Sequence, residues 1–516
     1  MAATYYISAA GNDANSGTSP ALAWATLAKV NSSSFGAGDS ILFEGGSTFS
    51  GSISFDSATS GTPERPIIIS SWGEGQAIIS SGDATGLKIY NTAGFTITDL
   101  IFRGSGRTQN KGSGIDFYMD LPTERLAHIL IERVEVEGYY FFGILIGSWN
   151  GSGGYDDVTI KDALVHDNGQ GGIFTYAKAV LAHRNIYIAH TKAYNNSGLP
   201  NRTDHHTGSG IIVSGADGAL VEYCEAYNNG WLNAWNGGGP VGIWGYSSNK
   251  LVIQYSESHH NKSGTAKDGG GFDIDGGCTN CTLQYNYAHN NEGPGYLIAQ
   301  YPEAPEMKGV VIRFNISEND ARGGNHGAIH LWSAGSNGGI QGADIYNNTI
   351  YVSPSENATP KAVYVQSGGV HQASFRNNII YTQGEVPLLV ADTTANMRFE
   401  GNNYWVGEGN FIIRWGATTF ASLEAWRDAT AQEVIDGKAT GYFVKPRLKS
   451  AGRGKTLSEP GERYTLESYQ LKDRSPLRGA GLDLKRLFNM EIGKSDFWGN
   501  LLPAQLSIGA HQPPVY

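Results

Sequence analysis

The chain repeats itself, and that repetition limits the fold more than any other feature. An apolar alternating run, a small polar residue near an Asn pair, a Gly-rich turn and a second short strand recur through its middle. The clearest copies are VEYCEAYNNG, VIQYSESHHN, TLQYNYAHNN, VIRFNISEND, ADIYNNTIYV, ASFRNNIIYT and MRFEGNNYWV. Taking the residue after the aromatic, or its equivalent, marks Cys224, Ser256, Asn286, Asn315, Asn347, Asn377 and Asn402, spaced by 32, 30, 29, 32, 30 and 25 residues. YIAHTKAYNN, VTIKDALVHDN, ILIERVEVEG and FTITDLIFRG extend the series backwards, so coils are expected from about Gly86 to about Gly409. Rungs of this length, with strands of roughly four to six residues, are too short for propeller blades and lack the periodicity of a helical solenoid. The expectation is an all-β parallel β-helix. Stacked rungs repeat every ~4.8 Å, so aligned asparagine amides can bond up the stack, and Asn286, Asn315, Asn347, Asn377 and Asn402 read as one structural ladder.

The ends fit this plan. Leu22, Trp24, Leu27 and Val30 have helical spacing after Ser19-Pro20, which predicts a short amphipathic capping helix over 19–33. TFASLEAWRDAT at 419–430 reads as a second short helix. With 516 residues the chain exceeds one compact domain, yet 70 glycines and 27 tyrosines are spread along it and no charged or Pro/Ser-rich linker divides it. A solenoid escapes the size limit because each rung packs only on its neighbours. The divisions expected within one domain are 1–85 (cap and first strands), 86–409 (rungs carrying a groove) and 410–516 (closing segment).

TYYISAAGNDANSGTSPALAWATLAKVN followed by FGAGDSILFEGG resembles the N-terminal module of bacterial right-handed parallel β-helix proteins of the pectin-lyase-like superfamily. SPLRGAGLDL, DFWGN and IGAHQ resemble their ends. The resemblance implies a right-handed helix and a carbohydrate-active protein, without choosing among hydrolases, lyases, epimerases, tailspikes and adhesins. It also implies a secreted or periplasmic location, with Met1 added to a mature chain, since MAATYYIS lacks the basic and apolar regions of a signal peptide.

A net charge of -11 argues against nucleic acid and anionic membranes, which select clustered Lys and Arg. No apolar run approaches a membrane span. Three cysteines are too few for a disulfide framework, and Cys278-Thr279-Asn280-Cys281 lacks the second pair of a zinc site. The expected partner is a polysaccharide or oligosaccharide, with the protein a monomer.

Candidate chemistry concentrates in rungs 242–332. Strand alternation turns Phe272 and Ile274 inward and Asp273 and Asp275 outward on one face. The Asp273 column is expected to include Trp244 and His330, and the Asp275 column Tyr246, Gln300 and Trp332. Asp268 in KDGGG and Glu292 in NNEGPG occupy equivalent turns and can lean over the same groove. The set resembles the multiple-carboxylate groove of polygalacturonase-like hydrolases, but no motif matches residue by residue.

Paired carboxylates on a strand have the spacing that glycoside cleavage uses, one acid protonating the leaving oxygen while the other attacks or activates water. Asp273, Asp275, Glu292 and His330 are therefore the catalytic candidates. Trp244, Tyr246, Gln300, Trp332, His206, Asp268 and Trp235 are the substrate-binding candidates, the aromatic rings matching the C–H face of a pyranose. No cofactor is required, although Asp273 and Asp275 with turn carbonyls would suit Ca²⁺. His205-His206 and His259-His260 lack a full metal pattern. The function expected is polysaccharide hydrolysis. A lyase is the first alternative, disfavoured by the absence of Lys and Arg from the outward strand positions, and a non-catalytic glycan-binding or adhesin-like protein is the second.

Overall fold

The computed structural model describes residues 2–366 and 368–514. These fall into two compact units, 2–236 and 237–514. Strands make up 42% and helices 6%, which settles the class as all-β. In both units every turn of chain adds one short strand to each of three parallel layers, the order expected of a parallel β-solenoid.

In residues 2–236 the coils begin well before Gly86. Thr4–Ile7, Ser40–Glu44, Ile67–Trp72 and Phe95–Thr98 already pair in parallel. The layer continues through Arg125–Glu132, Gly154–Lys161, His183–Ala189 and Ala216–Glu222. Its register stacks Ile41, Ile69, Ile97, Ile131, Ile160, Ile188 and Val221 in a single inward column of fully buried side chains. β-Branched residues hold one χ1 well on a pleated surface, and burying each contributes roughly 1.5–3 kcal/mol. The N-terminal cap is more broken than the expected helix. A 3-10 turn at Pro20–Leu22 and a short helix at Leu27–Asn31 bury Trp24, Leu27 and Val30 but leave Leu22 exposed. The chain is extended at Thr26 between the two, and its hydroxyl accepts the Lys29 N–H as the cap of the second piece.

In residues 237–514 one inward column runs Ile243, Phe272, Tyr296, Ile329, Val363, Leu389 and Ile413. All of these are buried. At the corner before another layer the backbone turns through the left-handed region at Tyr255, Tyr285, Phe314, Asn347, Asn377 and Gly401 in successive rungs. The residue after each of these points into the stack. The ladder is thus Asn286, Asn315, Asn348, Asn378 and Asn402, each backbone N–H donating to the next side-chain carbonyl at 2.9–3.0 Å. Asn347 and Asn377 are corrected out of it. They take the turn conformation that Asn tolerates better than most residues, and their amides donate to carbonyls of Ser507, Gly509 and Leu482 in the closing segment.

The helix at Leu423–Thr430 forms where expected. Its Ser422 cap accepts the Ala425 N–H at 3.1 Å, and Trp426 buries itself against Phe399, Tyr404 and Trp415. Beyond it the chain covers the layer that carries Tyr287, Ile316, Tyr351 and Ile379, laying Leu457, Tyr469, Phe497 and Ile508 on it. Glu257 and Glu318, buried beneath, accept the N–H groups of Leu457 and Gly454 and fasten the cover. The three cysteines are buried, and no disulfide joins them.

Candidate active site

The outward faces of two strands, Tyr296–Gln300 and Gly327–Ser333, form one wall of a cavity of about 650 Å³, which Asp275 joins from just beyond the strand Gly270–Ile274. Leu297 and Ala299 supply its apolar floor, and His330 and Trp332 flank them on the next rung. Turns around Asp268, Tyr301 and His326 rise as its sides. An apolar base with a few convergent polar groups suits a small ligand.

Register decides which candidates meet here. Trp244 pairs with Asp273, Asp273 with Leu297, and Leu297 with His330, so the expected Trp244–Asp273–His330 column exists. Ile274 pairs with Ile298 and Ala299 with Trp332, so Asp275 stands beside Ala299 and in line with Trp332. Gln300 does not belong to that column. It pairs with Ser333, is wholly buried, and turns inward, accepting the Gly277 N–H at 3.1 Å and donating to the Pro305 carbonyl at 2.8 Å. The slip is at Tyr296, which lies in the inward column between Phe272 and Ile329 and so shifts the strand's alternation by one residue. The Tyr296 hydroxyl reaches through the interior to the carbonyls of Asn286 and Ile316, at 2.7 and 2.9 Å.

The carboxyl groups separate by environment. Asp268 and Asp275 both line the cavity, whereas Asp273 lies behind it with 2% of its surface exposed. Burial, then the charges of Asp275 and Asp268, pushes Asp273 well above the usual carboxylate range. Its Oδ1 has no hydrogen-bond partner among the described residues. A protonated, neutral carboxyl is the form this position stabilises. Asp275 is pushed up to about 7, chiefly by burial and further by the charge of Asp268, against the pull of the Gly276 N–H that it accepts at 2.7 Å. Asp268 is also raised by burial, but the Gly239 N–H that it accepts and the charge of Lys267 oppose the rise. Of the two cavity acids, Asp268 is therefore the one better stabilised as an anion.

Glu292 is engaged elsewhere. Its Oε2 accepts the backbone N–H and hydroxyl of Ser263 at 2.8 and 3.0 Å, and Lys262 lies 3.3 Å from Oε1. It fastens a turn and is not among the residues lining the cavity. His330 is 4% exposed, and its Nε2 is 3.2 Å from Gln366 Oε1. Burial first, then the charges of His326 and Lys361, holds it well below an ordinary imidazole, so it is neutral at physiological pH. Trp244 is buried and stacks on the partly exposed Tyr246 at 5.4 Å. His206 and Trp235 belong to residues 2–236. Burial lowers the His206 imidazole to about 4, and the Trp235 carbonyl accepts an amide N–H of Asn233 at 3.1 Å.

Four residues escape a reading of strand positions alone. His326, Asn325 and Lys267 come from turns, and Gln366 follows a strand one rung further on. The sequence carries a signal for one of them, since His326 and His330 bracket an apolar stretch in NHGAIH. Their rings lie 5.6 Å apart, and His330 stacks on Tyr364 at 4.6 Å. Two side-chain clusters among the described residues could hold a metal ion, Glu257–His259–His289 and Glu135–Glu137–His166, and neither includes Asp273 or Asp275.

Comparison with known proteins agrees with this architecture. Residues 127–312 match the family described as the right-handed β-helix region. The chain is 24% identical, over 99% of its length, to the lacto-N-biosidase of Bifidobacterium longum subsp. longum, and it spans 36% of that protein. The crystal structure of the GH136 lacto-N-biosidase from Eubacterium ramulus superposes with a TM-score of 0.53 at 19% identity, covering 80% of this chain and 68% of that one. The stacked parallel layers, the match to the β-helix region and this superposition together make the chain a right-handed parallel β-helix protein.

Proposed function

We propose that the protein is a glycoside hydrolase that cleaves O-glycosidic bonds of an oligosaccharide or polysaccharide, with Asp275 as general acid and Asp268 as its carboxylate partner. The observation that carries this reading is the convergence of two unequal acids on one aromatic-edged cavity. Glycoside cleavage needs one carboxyl that keeps its proton at working pH and another that has lost it. Burial beside a second acid supplies the first in Asp275, and the Gly239 N–H with Lys267 supplies the second in Asp268.

In this mechanism the sugar at the bond to be cut lies over Leu297 and Ala299, against Trp332. Asp275 donates its proton to the glycosidic oxygen as the bond to the anomeric carbon breaks. Asp268 then attacks that carbon or takes a proton from the water that does, and the separation of the two carboxyl groups in the substrate complex decides which. Asp273 stays protonated behind Asp275, so it adds no second negative charge beside the acid. Neutral His330, held toward Gln366, offers a hydrogen bond to a sugar hydroxyl. The likeness to two lacto-N-biosidases supports a glycosidase and an oligosaccharide substrate. A secreted or periplasmic location belongs to this reading and is testable by cell fractionation.

The test is a reducing-sugar assay on a panel of oligosaccharides and polysaccharides, with ultraviolet absorbance followed in parallel. Sugar release without new absorbance is expected. Appearance of the unsaturated product would instead assign elimination to Lys267, a basic side chain lining the cavity. Binding with neither signal would leave a glycan-binding protein.

A further inference from the structure

Residues 2–236 carry a second pocket, of about 420 Å³, on the outward face of the strands Ile115–Met119, Phe142–Ser148 and Gly171–Ala177. Strand register builds it. Lys88, Asp116, Leu145 and Phe174 form one outward column, and Tyr90, Tyr118, Gly147 and Tyr176 form the next. The glycine in that second column is needed, because a Cβ at Gly147 would meet the Tyr176 ring at 2.2 Å. Tyr176 can therefore lie across Gly147.

The result is a continuous run of four rings. Phe142 and Phe174 are 5.0 Å apart, Phe174 and Tyr176 5.3 Å, and Tyr176 and Trp149 6.0 Å. Trp149 ends the run with 55% of its surface exposed, unusual for so large an apolar side chain. Into the same pocket Asp116 directs a carboxyl whose Oδ1 is shielded from solvent and has no hydrogen-bond partner among the described residues. Asp116 itself is partly exposed and lines the pocket, so its carboxyl can accept a hydrogen bond from a ligand hydroxyl. Burial pushes that carboxyl to about 6 despite the opposing charge of Lys88, consistent with a group lacking a donor.

We propose that Asp116, Phe174, Tyr176 and Trp149 form a second glycan-binding site that holds neutral pyranose rings without cleaving them. Aromatic faces match the C–H faces of pyranoses, and the polar rim of Thr85, Ser113, Gln170 and Asp116 matches their hydroxyls. Lys111 and Asp116 are the charged residues among those lining the pocket, so the site selects an uncharged ligand. Asp116 is its single carboxyl, which leaves it without the acid pair that hydrolysis requires. The site stands on its own geometry and not on the reaction proposed for Asp268 and Asp275.

Full-length Asp275→Asn protein, which leaves bound sugar uncut, is screened on an array of neutral gluco-, galacto-, manno- and N-acetylhexosaminyl oligosaccharides. Captured sugars are then titrated in solution after adding Trp149→Ala, Tyr176→Ala or Trp332→Ala singly. Trp149→Ala is expected to weaken one class of binding at least about tenfold, the equivalent of about 1.4 kcal/mol, with no change in Tm because the ring is exposed. Trp332→Ala is expected to leave that class intact. In protein that keeps Asp275, Trp149→Ala should not alter kcat on a small soluble glycoside. An empty array, binding within twofold of the parent in both Trp149→Ala and Tyr176→Ala, or loss of all binding on Trp332→Ala alone would overturn the proposal. Failure of the hydrolase reading would show as an inactive wild-type protein that still loses binding on Trp149→Ala.

Discussion

The pockets of the two units are made by the same device and differ in one respect. Each is an outward face of stacked strands, floored by apolar residues and edged by aromatic rings. The pocket in residues 237–514 has two acids, Asp268 and Asp275, and the pocket in residues 2–236 has Asp116 alone. Burial raises the proton affinity of all three. On the proposed reading, what would distinguish a reactive site from a binding surface is the second acid: a neighbouring charge splits the pair into a proton donor and an anion, which a lone carboxyl cannot do. Stacking makes this inexpensive to arrange, because residues far apart in sequence come within a few ångströms once the rungs align.

Substitution breaks the comparison most directly. Asp275→Asn is expected to lower kcat by roughly two to four decades with the fold retained, the usual range for removing a positioned acid. Asp268→Asn should cost a comparable factor, whereas Asp116→Asn should leave kcat within twofold. Steady-state rates on the glycan found by the panel check all three. Equal losses at Asp116 and Asp275 would erase the distinction between the pockets.

Two effects of pH sharpen the same contrast. Activity should fall as pH rises through about 7, where Asp275 loses its proton, and fall again in acid as Asp268 gains one, giving a bell-shaped profile. Stability follows its own sign. The Asp275 carboxyl binds its proton more tightly folded (about 7) than unfolded (3.8), so between those values the folded state holds more protons and stability falls as pH rises. Asp320 and Glu433, each raised to about 7 by burial, act in the same direction. Asp275→Asn should consequently melt higher than wild type at pH 8 and nearly with it at pH 4, as scanning calorimetry at the two pH values would show. An inactive variant that is more stable at neutral pH would place strain at the reacting group.

Much of the fold is legible in the sequence because one period governs it: inward Ile and Phe, small turn residues and Asn recur at each rung. The Asp273 column with Trp244 and His330 follows from strand alternation alone. Two of the failures are one-residue slips, each with a physical cause. An aromatic precedes the ladder residue at Tyr255, Tyr285 and Phe314, but in YNN that turn position belongs to Asn347, so counting from Tyr346 stops one residue short. Tyr296 produced the second slip, a large polar-tipped ring that sits inside by bonding two carbonyls. Asp268, Lys267 and His326 reach the cavity from turns, where no periodicity says which way a side chain points.

The ladder slip can itself be tested by stability. Asn348 Oδ1 accepts from the backbone and side-chain N–H groups of Asn315, and its own amide donates to Ile312. Asn348→Ala leaves several buried groups unmet and should cost about 2–4 kcal/mol in denaturant unfolding. Asn347→Ala removes two bonds to the closing segment and places Ala at a φ of 53°, for which about 1–2 kcal/mol is expected. The reverse order would restore Asn347 to the ladder.

Glu292 gives the smallest expected effect and the finest discrimination, because strand-and-turn reasoning placed it beside the aspartates. Its Oε2 accepts two bonds from Ser263, and Lys262 approaches the other oxygen at the protein surface. Glu292→Gln keeps an oxygen that can accept one or both Ser263 bonds and loses mainly the exposed ion pair, an interaction contributing roughly 0–1 kcal/mol. Stability should therefore fall by less than about 1 kcal/mol and kcat by less than about threefold. The Ser263 turn also borders the cavity, so a loosened turn would show first as a higher KM, with kcat held. A loss of two decades in kcat with KM unchanged would instead make Glu292 part of the proton-transfer machinery, and would require the turn to open so that its carboxyl could leave Ser263 and reach the substrate.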